Sequence, residues 1–213
     1  MQVQVLSSTA TQKIDMSNIE TIYDNQLNIR TTGRDDSRSD NYNYPYEPTN
    51  YEVLERVSQS EYFSKRNHMV DYGCGKGRVS YFLAYQTGCK AIGVEYDERL
   101  YMKAVGNLKD YPKPYNVHFK CCNAVDFEVP EDIDRGFFFN PFSVEVLMKV
   151  MTRIKESYYA NPREILLFFY YPSDDYIAYL SCDDELMFED EIDCRDMFEK
   201  EDSRERVMIF SLS

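Results

Sequence analysis

Three glycines at alternate positions, flanked by acids, carry the clearest chemical potential in this chain. The stretch Val70-Asp71-Tyr72-Gly73-Cys74-Gly75-Lys76-Gly77-Arg78 sets Asp71 at the end of a strand-like segment and repeats glycine at every second residue. Glycine has no Cβ, takes positive φ freely and lets the backbone come close to a ligand. A helix-like segment, Val79 to Tyr85, follows, and then a short strand, Ala91-Ile92-Gly93-Val94-Glu95, that ends in another acid. A strand that feeds such a turn into a helix N-terminus presents free N–H groups to a bound molecule. An acid closing the next strand can accept hydrogen bonds from both hydroxyls of a ribose. The arrangement fits a ligand that carries an adenosine.

Spacing separates the candidate ligands. The dinucleotide fingerprint is G-x-G-x-x-G, whereas here the third glycine arrives one residue early, as Asp71-x-Gly73-x-Gly75-x-Gly77. This pattern resembles the first motif of class I S-adenosylmethionine-dependent methyltransferases. The resemblance implies that Gly73, Cys74, Gly75 and Gly77 lie along the methionine part of the cofactor, with Asp71 near its amino group. Glu95, 18 residues after Gly77, matches the family's ribose-binding acid, and Tyr96 stands beside it. Val117 to Cys122 reads as a third strand, followed by Asn123-Ala124-Val125-Asp126. At this point the family often carries an acid and a small residue that read the adenine edge. Asn123 takes the acid's place; an amide oxygen still accepts from an adenine amino group, and Asp126 is the alternative.

A second constellation is Arg135-Gly136-Phe137-Phe138-Phe139-Asn140-Pro141-Phe142. Consecutive aromatics suit a strand buried on both faces, and Asn-Pro ends it at the carboxyl edge, where open α/β sheets bind ligands. The segment is similar to an abbreviated Asn-Pro-Pro-Tyr/Phe motif of methyltransferases acting on amide or aromatic amino nitrogens, with the second proline missing. The resemblance implies that Asn140 and the Pro141 carbonyl accept from the target –NH₂, that Asn140 also belongs among the cofactor contacts, and that Phe142 forms a wall. An Asn-Asn-Phe variant in non-SET histone lysine methyltransferases leaves the target nitrogen open. A plain strand end broken by proline, with Phe142 as packing, is the competing reading.

The remaining elements must position these groups. Ser143 to Ser157 carries apolar residues at Val144, Leu147, Met148, Met151 and Ile154, the spacing of one helix face, with Ser143 as its N-cap. Ile165 to Tyr171 reads as a central strand, Asp174 to Leu180 as a short helix, and Glu185 to Ile192 with Arg206 to Leu212 as a closing hairpin. The fold expected is α/β: a three-layer Rossmann-like methyltransferase sandwich around a mostly parallel seven-stranded sheet with an antiparallel C-terminal strand. Residues 48–213 form that domain, and residues 1–47 form an arm and linker, partly mobile, that would serve as a substrate lid. Within the arm, Met16, Ile19, Ile22 and Tyr23 indicate a short amphipathic helix, and Thr31 to Asn41 a mobile linker broken by Gly33. Thr49 with Glu52 forms a capping box for a helix carrying Tyr51, Leu54 and Val57. Tyr44, Tyr46 and Tyr51 then either close the substrate pocket or pack on the domain surface.

Charge narrows the partners. Lys and Arg against Asp and Glu number 4 to 7 in residues 1–50, 16 to 16 in 51–171 and 4 to 14 in 172–213, so the acidity sits on the closing hairpin. Such a surface opposes a nucleic-acid backbone. No apolar run approaches the roughly 20 residues of a membrane span, and residues 1–30 lack the pattern of a signal peptide. Six cysteines without a Cys-x-x-Cys pair predict reduced thiols in a cytoplasmic protein, and His68 and His118 alone give no metal site. The function expected is S-adenosylmethionine-dependent methyl transfer to a nitrogen of a small-molecule or protein acceptor. A non-catalytic methyltransferase-fold binding module is the alternative, with a nicotinamide-dependent oxidoreductase behind it.

Overall fold

The computed structural model describes residues 16–37, 42–200 and 202–213. Its strands are β1 (His68–Tyr72), β2 (Lys90–Glu95), β3 (Val117–Cys121), β4 (Arg135–Phe138), β5 (Ile165–Tyr170), β6 (Met187–Asp193) and β7 (Arg206–Leu212). They form one sheet in the order β3-β2-β1-β4-β5-β7-β6. The first five are mutually parallel, and β7 inserts antiparallel to both β5 and β6. The seven-stranded fold expected from the sequence is therefore the fold observed.

Period-two alternation divides the core into two layers. Met69, Phe137 and Phe168 face one side, where they join α2 (Tyr51–Gln59) and α3 (Arg78–Thr87) in one apolar cluster. Tyr72, Phe138 and Phe169 face the other side, against α5 (Val144–Ala160) and α6 (Asp174–Ser181). These three rings sit in register on β1, β4 and β5. Tyr72 stacks on Phe138 at 4.6 Å and Phe138 on Phe169 at 4.7 Å, close to parallel in both cases. The aromatic run thus locks the strands whose carboxyl ends carry the second motif. β5 is buried along its whole length, which explains its continuous apolarity.

Several local expectations need correction. Met148 is exposed, and Val150 takes its place on the buried stripe of α5 with Leu147, Met151 and Ile154. Ser143 is the N-cap of α5 but its side chain makes no cap hydrogen bond. The capping box also does not form: Asn50, not Thr49, precedes α2, while the Thr49 carbonyl accepts from Arg78 Nη1 at 3.0 Å.

The arm is packed rather than loose over its described part. α1 (Met16–Leu27) lies against α2 and α3, and Leu27 and Ile29 enter the core. The linker expected over Thr31 to Asn41 is pinned at its start. Thr31 is fully buried and bonded to Asp24, and Lys76 Nζ donates to the carbonyls of Thr32 and Gly33 at 2.5 and 3.0 Å. Residues 38–41 and 1–15 lie outside the described structure. Residues 43 and 46 each form a bridge, Asn43 with Phe142 and Tyr46 with Asp35, so the arm is stitched to the end of β4.

Candidate active site

The glycine loop leaves β1 and enters α3 with all three alternate glycines at positive φ: 70° at Gly73, 55° at Gly75 and 85° at Gly77. Any other residue is strained there. The loop is closed from below by Glu95 at the end of β2. Its Oε2 accepts the Gly75 N–H at 2.8 Å and its Oε1 accepts the Asp97 N–H at 2.9 Å. Burial raises the Glu95 carboxyl above its ordinary range. Asp71 is also buried; its Oδ2 accepts from the Ser80 hydroxyl at 2.7 Å, and burial pushes its pKa up to about 7.

A cavity opens over this loop. Asp71, Gly73, Cys74, Glu95, Tyr96, Asn123 and Ala124 all line it, as do Pro141 and Phe142. Asn123 Oδ1 accepts from the Val125 N–H at 3.2 Å, which caps the following turn; Asp126, the alternative adenine reader, does not line the cavity. Gly75 and Gly77 behave differently from expectation. A Cβ on Gly75 would lie 2.0 Å from the Tyr46 ring, so that ring covers the loop, and a Cβ on Gly77 would strike Phe119 at 2.6 Å. Gly77 therefore serves the packing of α3, while Gly73 lets Pro141 approach, with 2.5 Å between an added Cβ and the proline.

A second cavity, of about 420 Å³, adjoins the first. The two share Tyr44, Pro45, Glu47, Pro48 and Phe139. Asn140 lines this second cavity and not the first, which corrects its placement among the cofactor contacts. Its backbone sits in the left-handed region at φ 41°. Asn140 Oδ1 is shielded from solvent and has no hydrogen-bond partner among the described residues. Tyr171 at the end of β5 is also left-handed, at φ 51°, and lines the same cavity. Left-handed non-glycine residues carry strain that the surroundings must hold.

The tyrosines and the Asn-Pro-Phe turn divide among separate places. Tyr44 lines both cavities, and its N–H donates to the Pro141 carbonyl at 3.1 Å, so that carbonyl already has one partner. Tyr46 belongs to the cofactor side, with its hydroxyl on the Thr31 carbonyl at 2.6 Å and Lys76 Nζ over its ring. Tyr51 lines neither cavity. It is fully buried on α2, donates to Asp24 Oδ1 at 2.5 Å and lies under the Arg78 guanidinium. Phe142 is almost fully buried against Phe138 and touches only the first cavity.

Arg78 was not singled out by the motif, yet it is central. It is 2% exposed, donates through Nε to Thr31 Oγ1 at 2.7 Å and pairs with Glu20 through Nη1, and it lines the first cavity. Its Nη2 has no hydrogen-bond partner among the described residues; Asp24 lies 4.0 Å away. A cation in the first turn of a helix opposes the helix dipole, and that mismatch was the available signal. The orphaned Nη2, the positive-φ loop and the carboxylate at the end of β2 together fit S-adenosylmethionine: two acids for its hydroxyls and amino group, one guanidinium for its carboxylate.

The inserted antiparallel strand and the glycine loop at the carboxyl edge define the class I, Rossmann-like methyltransferase fold. Solved structures with this fold include an RNA methyltransferase from Salinibacter ruber in complex with S-adenosyl-L-homocysteine, 17% identical with a TM-score of 0.54 over 78% of this chain and 94% of that one. An rRNA methylase from Streptococcus thermophilus is 13% identical, TM-score 0.52, over 79% and 97%. The mitomycin 7-O-methyltransferase MmcR is 12% identical, TM-score 0.57, over 76% and 53%. Residues 69–157 match the family model described as a methyltransferase domain. No curated protein matches the chain in sequence. Among the described residues no helix is long and apolar enough to cross a membrane.

Proposed function

We propose that the chain transfers methyl to a nitrogen of a small-molecule or protein acceptor seated in the second cavity. The observation that carries this reading is Asn140 Oδ1, a solvent-shielded acceptor without a partner, next to the cofactor cavity. A shielded polar atom left unpaired is costly, and a ligand N–H would relieve that cost. When bound, S-adenosylmethionine supplies an electrophilic methyl on a positively charged sulfur. The residues then orient the acceptor. Asn140 Oδ1 accepts one N–H, which fixes the nitrogen and draws electron density toward it, and Tyr44 and Phe139 form the passage between the cavities. Catalysis of this kind is positioning and electrostatics, and it needs no histidine.

On the cofactor side, Glu95 would take the ribose hydroxyls, Asn123 and Ala124 the adenine edge with Tyr96 beside them, Asp71 the amino group and Arg78 Nη2 the carboxylate. The RNA acceptors of two structural neighbours are not carried over, because Glu47 and Glu205 line the acceptor cavity and repel a phosphate backbone. The reading is tested with labelled S-adenosylmethionine and fractionated cell extract: the label should appear on nitrogen, and label on oxygen or carbon would refute the assignment. Asn140→Ala should then lower single-turnover rates on the order of 10²-fold while the affinity for S-adenosylhomocysteine stays within about threefold.

A further inference from the structure

Of the charged side chains lining the second cavity, Arg34, Glu47 and Glu205, two are acids. Arg34 is engaged by acids on both sides, Asp36 at 2.6 Å and Glu47 at 3.4 Å. Glu205 is set in place by the Tyr170 hydroxyl, which donates to its Oε2 at 2.7 Å, and burial raises its carboxyl above the ordinary range. Behind it, Asp202 accepts from the Tyr171 hydroxyl at 2.6 Å and pairs with Arg204. The cavity thus faces a ligand with surplus negative charge.

Its other walls are rings. Phe139 packs on Tyr170 with centroids 4.7 Å apart and meets Tyr171 edge-on at 6.4 Å, while Tyr44 covers the cavity from the arm. Aromatic faces attract cations, and Tyr171 already holds one, with the Arg204 guanidinium 4.2 Å from its ring centroid, so Tyr44, Phe139 and Tyr170 are the ring faces that a ligand would meet. Carboxylates, ring faces and a lone amide oxygen all favour the same ligand chemistry. A carboxylate or phosphate group would meet repulsion from Glu205, while the two nearby cations, Arg34 and Arg204, are each already paired with a carboxylate.

Resting on the nitrogen-acceptor reading above, we propose that the second cavity selects a cationic nitrogen compound, an amine or a guanidine. Glu205 is its charge partner, the Tyr44, Phe139 and Tyr170 rings its walls and Asn140 its hydrogen-bond acceptor. The cation is either a free small molecule or the side chain of a lysine or arginine in a protein. For an amine, one proton must leave to solvent before the nitrogen lone pair forms the N–C bond as the S–C bond breaks.

The test measures binding apart from transfer. With saturating S-adenosylhomocysteine, tyramine, 4-hydroxyphenylacetate and the peptide acetyl-Gly-Lys-Gly-amide are titrated and followed by calorimetry. Tyramine or the peptide should bind about tenfold or more tightly than 4-hydroxyphenylacetate. Glu205→Gln, which keeps an acceptor for Tyr170, should shrink that preference to about threefold or less, and Glu47→Gln to a smaller extent. Binding by the peptide but not tyramine supports the proposal with a protein as the source; the reverse supports it with a free amine. Equal or tighter binding of 4-hydroxyphenylacetate, no binding of either amine, or a preference unchanged by Glu205→Gln overturns it. A carboxylate compound that is methylated on nitrogen would overturn this inference while sparing the proposed function. An amine that binds but accepts no methyl from S-adenosylmethionine at any nitrogen would do the opposite.

Discussion

The two cavities are built in opposite ways. The first cavity takes its floor from the stretch around β1 and β2, where backbone dihedrals and a few acids do the shaping, while the arm and the ends of β3 and β4 supply its other walls. The acceptor cavity is assembled from the arm, the ends of β4 and β5 and the start of β7, residues far apart in sequence. One is written in local conformation, the other in tertiary placement. Substitutions should therefore act differently on the two: in the first by strain, in the second by chemistry.

The largest effect should come from Gly75→Val. A branched side chain is poorly tolerated at φ 55°, and its Cβ would collide with the Tyr46 ring. Affinity for S-adenosylhomocysteine should fall by more than about 100-fold, with the circular dichroism of the sheet retained. Loss of the folded signal instead would mean that the loop serves architecture first, and the contrast between the cavities would collapse.

A smaller effect should follow pH. Asp71 is lifted by burial to about 7, so in the free protein it is largely protonated at pH 6. Because its folded value lies above its ordinary 3.8, the folded state is favoured at low pH, and this contribution is lost as pH rises from about 4 to 7. A ligand ammonium prefers the ionised form. Binding of S-adenosylhomocysteine should therefore release a proton below about pH 7 and tighten nearly tenfold per pH unit there, flattening above. Calorimetry in buffers of different ionisation enthalpy measures that proton; an unchanged slope in Asp71→Asn would remove Asp71 from the cofactor's amino group.

The smallest effect sharpens the boundary of the acceptor cavity. Tyr51→Phe removes one donor to Asp24 but leaves Thr31 bound there. Thermal unfolding should report a loss of about 1–2 kcal/mol, with acceptor KM unchanged. A raised KM would return Tyr51 to the substrate wall.

This contrast also explains what was legible from the residues alone. Asp71, Gly73, Glu95 and Asn123 could be located because strand, turn and acid recur at fixed short spacing, and spacing is a property of the local chain. The sheet was legible for a related reason: β5 is apolar throughout, and β4 after Arg135, because both of their faces are buried. Tyr44, Tyr46 and Tyr51 look alike in a list, yet they separate into a shared wall, a cover for the loop and a core residue. Their fates depend on which partners the arm brings near, Thr31, Lys76 and Asp24 among them. Glu205 and Tyr171 were invisible as site residues for the same reason, since only the insertion of β7 beside β5 places them together.

That insertion has a consequence during synthesis. β7 lies between β5 and β6 although it is made after both. While the nascent chain lacks Arg206–Leu212, β5 has no partner on one side, and its Ile165–Tyr170 edge is open to pairing with other chains. Chaperone dependence and aggregation on the ribosome should thus be concentrated in the interval before the last strand emerges. The arm, made first, must wait for Phe142 and then Glu205 before the second cavity exists, so binding of an acceptor reports that the whole chain has folded.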